Sequence, residues 1–380
     1  MEDRGLPAVV AVVRCRSYDR PEVEDAAARA VELLGGAGCF FRPRERVLLK
    51  PNLLAPRPRD SRVTTDPEVV RALAVLAERN GCAVTYGDSP GIGGAARVLE
   101  AAGYATAMEG LRAQPVELSE PVAVRGIELP RVELAREVVS ADALVNVAKA
   151  KTHGQMTLTL AVKNLFGCVP GTRKAAWHLR AGKDRDRFAS ILVEVAAASR
   201  ARLHVLDAVV GMEGNGPGSG TPREFGALLA SRDPVALDSV ACDMLGVPEG
   251  ALSVIGAARR LGFGEADRRR IELVGDDPSP LRIRDLRLPA GRGIHRFLPM
   301  PSFVAAAARR LFVPGPVFDA RACRSCGLCA GACPARCLRP RRSRPPAIDR
   351  ERCIGCLCCQ EVCPHGAVRA GGGWLSRLFG

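Results

Sequence analysis

Cysteine carries the most specific chemistry in this chain. Residues 323–334 read CRSCGLCAGACP and residues 353–364 read CIGCLCCQEVCP, so Cys323, Cys326, Cys329 and Cys333-Pro334 recur in register as Cys353, Cys356, Cys359 and Cys363-Pro364. Cys-x2-Cys-x2-Cys-x3-Cys-Pro is a spacing of thiolate ligands for cubane [4Fe–4S] clusters. Three thiolates on a tight loop each reach one iron of a cubane, while the fourth, released by proline at a helix start, points away to the other cluster. The spacing therefore predicts two [4Fe–4S] clusters. One would sit on Cys323, Cys326, Cys329 and Cys363, the other on Cys353, Cys356, Cys359 and Cys333. Tetrahedral zinc sites use paired cysteines rather than four in this register. Cys337 and Cys358 fall outside the pattern and read as packed thiols, and His365 as a surface or supporting residue. Arg336, Arg339, Arg341, Arg342 and Arg344 lie between the motifs. Such cations partly balance anionic clusters and could steer an acidic redox partner such as a ferredoxin or flavodoxin; a solvated arginine loop is the plainer reading.

Composition limits what the rest can be. The chain has 380 residues and is 47% hydrophobic, enough for one large core with a small appendage. An aromatic content of 4% argues against a stacking surface for single-stranded nucleic acid. The net charge of +14 comes largely from arginines spread along the chain, with no helix-turn-helix, zinc-finger or RNA-recognition pattern, so nucleic acid is not expected as the ligand. No apolar run of about 18 residues predicts a membrane span. The start, MEDRGLPAVVAVVRC, does not read as an export signal, so a cytoplasmic setting is expected. Ten of the 15 cysteines crowd between Cys323 and Cys363, which in a reducing compartment favours metal over disulfides. Cys15, Cys39, Cys82, Cys168 and Cys242 are scattered and read as small core residues.

The elements upstream must position whatever the clusters serve. Short apolar runs alternate with helical ones, which predicts an α/β domain built on a mostly parallel sheet covered by helices. Strands are expected at 8–13, 46–49, 82–86, 143–147 and 203–206. Helices are expected at 66–81, 94–103, 157–167, 187–200 and 233–246; Asp66-Pro67 and Asp233-Pro234 supply helix starts. Four of the loops after strands are polar, and in a parallel sheet such loops leave one edge, where open α/β folds bind ligands. Lys50, Asn52, Asp88, Ser89, Lys149, Lys151, Thr152, His153, Asp207 and Asn215 are thereby expected to converge on one crevice that leans cationic and suits an anionic small molecule. Lys151 and His153 are the catalytic candidates, with His153 moving a proton. Lys163 and Asn164 lie off the apolar face of the 157–167 helix, and read either as site residues or as a solvated face. Asp238 reads as a polar-face residue. GIGGAA at 91–96 follows a proline and lacks the acidic partner of a dinucleotide loop.

The segments LLKPNLL, TTDPEVVRAL, GDSPG, VNVAKAKTHGQMTLTLAVKNLFGCVPG, LDAVVGMEGNGPGSG and SRDPVALDSVACDMLG resemble the domain-of-unknown-function family 362 over roughly residues 46–247. The resemblance implies an architecture and a set of recurring polar residues rather than a reaction. It also implies a junction to a small C-terminal α+β, bacterial-type dicluster ferredoxin domain, as that family often has. The expected layout is an α/β domain at 1–275, a Pro- and Arg-rich connector at 276–320, the ferredoxin-like domain at 321–370 and a tail at 371–380. Within the connector, PSFVAAAARRLFV reads as a short amphipathic helix. The expected function is an iron–sulfur oxidoreductase passing electrons to an anionic substrate or small cofactor at the sheet edge. The alternatives are an electron-transfer adaptor that docks a separate enzyme, and a non-redox enzyme with structural or sensory clusters.

Overall fold

The computed structural model of the protein describes residues 7–91, 93–289 and 315–371. Eleven strands precede the cysteine region: β1 (Ala8–Arg14), β2 (Arg46–Pro51), β3 (Ala83–Tyr86), β4 (Gln114–Pro115), β5 (Pro121–Val124), β6 (Val132–Ala135), β7 (Ala143–His153), β8 (Thr157–Thr159), β9 (Leu203–Glu213), β10 (Thr221–Ser231) and β11 (Ile271–Gly275). All but the β5–β6 hairpin join one sheet in the order β11-β1-β10-β9-β7-β2-β3-β4, with β8 paired to β7. The run β9-β7-β2-β3-β4 is parallel. β10 is antiparallel to both β9 and β1, so it alone reverses direction along that path. The carboxyl ends of β2, β3, β7 and β9 thus share an edge.

Side-chain alternation divides the apolar residues between two faces. Val10, Val12, Leu48 and Leu144 pack under helices Arg185–Ser199, Pro234–Met244 and Ser253–Leu261. Ala11, Val13, Val47, Leu49, Val145 and Val147 pack under helices Arg20–Leu33 and Pro67–Arg79. The result is a sheet covered by helices, as read from the sequence, with the helices divided between its two sides. Asp66 caps its helix by accepting from Glu68 N at 3.1 Å, and Asp233 accepts from Val235 N at 2.8 Å.

Four expectations need correction. Residues 148–153 do not loop out but continue β7 through His153, and 207–213 continue β9. Each strand is 11 residues long because the polar side chains past its apolar half find buried partners. The helix expected at 157–167 is β8 followed by a short helix, Ala161–Asn164, and a 3-10 turn. Its start is fixed by Asp238, which is buried rather than lying on a polar face and accepts from Ala161 N (2.7 Å) and Val162 N (3.2 Å). Among the scattered cysteines, Cys39 is exposed; the other four are buried.

Part of the Pro- and Arg-rich segment packs on the α/β core through Leu281, Ile283 and Leu286. The amphipathic helix read at 301–313 and nearly all of the tail lie outside the described residues. The cysteine region is strand-rich. β12 (Gly315–Phe318) pairs with β15 (Val368–Gly371), and β13 (Leu338–Arg341) with β14 (Arg344–Ile348). Each motif carries a short helix, Leu328–Gly331 or Cys358–Glu361.

Candidate functional site at the sheet edge

The polar residues expected after the strands form one hydrogen-bonded network, and it is closed. Lys50, Lys149, His153 and Asp207 are 0% exposed and Lys151 1%, so they line no open crevice. Lys50 Nζ lies 2.8 Å from Asp88 Oδ1 and 3.4 Å from Asn164 Oδ1. Asp88 also accepts from the amides of Leu53 (2.8 Å) and Ser89 (2.9 Å). Lys149 Nζ donates to Asp207 Oδ2 at 2.8 Å and to the Tyr18 hydroxyl at 2.6 Å, and Tyr18 donates to Asp207 Oδ1 at 2.7 Å. Strand parity puts Lys50 with Leu48 and Lys149 with Val147, on opposite faces of the sheet. Asn52 and Asn164 carry the connection around the edge: Lys151 Nζ donates to Asn52 Oδ1 (2.7 Å), and Asn52 Nδ2 to Asn164 Oδ1 (3.0 Å). Asn164 is itself buried, not on a solvated face.

Charge is unevenly matched in this network. Lys50 and Lys149 each face a carboxylate, whereas Lys151 Nζ donates to two neutral oxygens, Asn52 Oδ1 and Val63 O (2.6 Å). Burial pushes Lys151 well below the usual lysine range, and the neighbouring Lys163 and Lys149 push it further. Burial also lowers Lys149, with Asp207 opposing. Lys174, absent from the sequence reading, donates to Ser89 O (2.5 Å) and Oγ (2.8 Å), and burial lowers it to about 8.

The ferredoxin-like unit closes the same edge. His153 Nδ1 accepts from the amides of Gln155 (3.0 Å) and Met156 (3.2 Å), which leaves the ring proton on Nε2, 2.9 Å from Glu361 Oε1. Burial by itself would raise the Glu361 carboxyl, but Lys163, His153 and His178 hold it below the ordinary range. Gln360 Nε2 donates to Asn215 Oδ1 at 2.6 Å and to Gly216 O at 3.2 Å, and Asn215 Nδ2 donates to Val368 O at 3.1 Å. Arg57 donates to Pro364 O (2.5 Å) and Cys363 O (2.7 Å). Asn215 therefore belongs to the domain contact, and Thr152 is spent on Gly214 O at 3.1 Å. At Gly154 an added Cβ would overlap Gln360 Oε1 and lie 2.7 Å from Leu357 Cδ1. Tyr18, Arg57, Lys174, His178, Gln360 and Glu361 escape a sequence reading because each takes its role from a partner distant along the chain.

The motif cysteines gather in crossed sets of four. Around Cys329 stand Cys363, Cys326 and Cys323, and burial with these thiols pushes Cys329 up. Around Cys359 stand Cys356, Cys353 and Cys333, with Cys329 of the first motif also near, and burial again leads the upward shift. Cys323, Cys326, Cys329 and Cys363 also wall one cavity, together with Arg324, Arg341 and Arg344. All 15 cysteines are free. Soft thiol donors in fours at this spacing fit iron–sulfur clusters. Of the leftover thiols, Cys337 Sγ lies 3.4 Å from Cys333 Sγ. Cys358, Cys356 and His178 of the α/β domain bring their ligand atoms within 4.8 Å of one another. His178 stacks on Phe188 at 4.3 Å, and its Nδ1 is buried without a hydrogen-bond partner.

Comparison with known proteins agrees with this division. Residues 47–243 match the model of a domain of unknown function, DUF362, and residues 316–367 that of a 4Fe-4S dicluster domain. A thylakoid-associated protein of Synechocystis sp. is 42% identical over 255 residues, covering 67% of this chain and 79% of the relative. Among solved structures, the lactate racemase apoprotein of Thermoanaerobacterium thermosaccharolyticum is similar at a TM-score of 0.41 and 13% identity, over 64% of this chain and 58% of that one. A Thermotoga maritima protein is similar at a TM-score of 0.34 and 11% identity, over 53% and 52%. No helix among the described residues is long and apolar enough to cross a membrane. By its sequence match and its cysteine sets, the chain belongs to the DUF362 family and carries an iron–sulfur-binding dicluster domain behind the α/β domain.

Proposed function

We propose that the protein is an iron–sulfur oxidoreductase with two [4Fe–4S] positions, one on Cys323, Cys326, Cys329 and Cys363 and the other on Cys353, Cys356, Cys359 and Cys333. Its substrate is an anionic small molecule or cofactor at the sheet edge, and its electron source an acidic redox protein in a reducing, cytoplasmic setting. Bound clusters supply electrons one at a time. The observation that carries the reading is the Glu361–His153 contact at 2.9 Å, which ties the helix of the second motif to the end of β7. Glu361 puts a carboxylate where Lys163, His153 and His178 favour negative charge, so the chain's own side chain marks an anion position. Lys151 lends itself to binding there: an arriving anion restores the ammonium that burial disfavours. His153 Nε2 holds the proton nearest that carboxylate.

A second reading, an electron-transfer adaptor that docks a separate enzyme, is favoured by the closure of the network. One experiment separates the two. Anaerobic, iron-loaded protein is reduced with a viologen and mixed with small carboxylates and phosphates, and cluster reoxidation is followed by absorbance. The oxidoreductase reading expects ligand-dependent reoxidation without a partner protein. It also expects Lys151→Ala to abolish this while leaving iron content and spectra unchanged. Reoxidation seen only with a second protein present selects the adaptor.

A further inference from the structure

The two cysteine sets differ in surroundings. In the second motif, Cys356, Leu357, Cys359 and Gln360 are buried, and Gln360 and Glu361 bond the α/β domain. In the first motif, Cys326 is exposed, and so is the adjoining Leu328, at 42%. Arg324, Arg341 and Arg344 line the cavity walled by the first set, and Arg339 and Arg342 are exposed on the β13–β14 hairpin beside it. None of these five guanidinium groups has a carboxylate within ion-pair distance among the described residues, unlike Arg59, Arg202 or Arg223 of the α/β domain.

We propose that this face is the docking surface for an acidic one-electron carrier protein, and that the second set, beside His178, is the outlet into the α/β domain. The inference rests on the two-cluster reading and gives its two positions unequal tasks. An apolar contact at Leu328 ringed by unpaired cations suits a small, transient, electrostatically guided encounter. The carrier loses one electron, which the first position gains and hands to the second; no bond is made or broken and no proton is needed. At the outlet, His178 is held by its stack on Phe188, and a ring nitrogen lies within 4.8 Å of the Cys356 and Cys358 thiols. A ring N–H directed at a ligating thiolate raises a cluster's potential. His178 is thus a positioning and tuning residue for the second set alone.

The test uses the full, iron-loaded chain and needs no substrate, so its failure is distinct from failure of the oxidoreductase reading. With reduced flavodoxin as the probe, Arg341→Glu/Arg344→Glu should slow cluster reduction about tenfold or more at low salt, with the difference shrinking as salt rises. Reduction by an uncharged viologen should keep its rate. Equal flavodoxin rates in both proteins overturn the docking face. So does charge-dependent binding of the native protein to phosphatidylglycerol vesicles with unchanged flavodoxin kinetics, which would make the face a membrane contact. At the other end, His178→Phe and His178→Asn should lower the midpoint potential of one electron paramagnetic resonance signal and leave the other in place. That shifted signal should also be the one less relaxed by a soluble dysprosium chelate. Unmoved potentials at full iron content, a shift in the chelate-sensitive signal, or loss of iron in both variants overturns the outlet.

Discussion

His204 lies in β9 with its ring buried, and the Asn146 amide donates to its Nδ1 at 3.1 Å, which fixes the neutral form with the proton on Nε2. Burial lowers it from 6.5 to about 3. Between those values the unfolded chain binds a proton that the folded chain refuses, so stability is lost as pH falls below 6.5. The slope from one such group reaches about 1.4 kcal/mol per pH unit. His178, lowered by burial to about 4, acts in the same direction. Anaerobic unfolding measured from pH 7.5 to 5 should therefore show a weaker fold toward acid, and His204→Asn should flatten that slope while lowering the plateau. An equally steep slope in the variant refutes the assignment. Single residues were legible in the sequence where their partners are local. Asp66 and Asp233 announce helix caps because the amides they accept lie two residues on. Asp238 announces nothing, because its amides lie 77 and 76 residues away.

At the scale of elements, β7 shows both the reach and the limit of such reading. Ala148-Lys149-Ala150-Lys151 alternates at period two, the signature of a strand, yet two lysines argue by composition for solvent. The pattern was the better guide, because Asp207 and Asn52 lie across the strand ends to receive the amines. The end of β7 leads into Gly154, where the backbone approaches the helix Cys358–Glu361 too closely for a side chain. Gly154→Ala should push that helix away at a cost of about 1–3 kcal/mol. Amide hydrogen exchange in that helix should then quicken, about fivefold to a hundredfold, while the rest of the sheet keeps its protection. Gly38→Ala, where an added Cβ meets nothing within 4 Å, serves as the control. Equal exchange in both variants would show that the approach at Gly154 does not hold the domains together.

Over the whole molecule, the doubled cysteine motif was the most legible feature and the domain contact the least. Register alone pairs Cys363 with the first motif, whereas nothing local in Gln360 or Arg57 points to Asn215 or to the Cys363 carbonyl. The crossing has a direct test. Cys333→Ser should damage the cluster of the second motif and Cys363→Ser that of the first, with Cys337→Ser sparing both. Iron and sulfide should fall from about eight each toward four in the first two variants. Damage confined to the motif that carries the substitution would refute the crossing. Cys363 also presents its carbonyl to Arg57, and the second motif carries Gln360 and Glu361, so the residues that grip metal are the neighbours of those that seal the sheet edge. Thermodynamic linkage makes the two events mutually stabilising. A chain stripped of iron by oxygen should loosen its seal and present buried lysines to water, so the damage shows itself at the surface. Proteolytic turnover would then follow the state of the metal rather than the age of the protein.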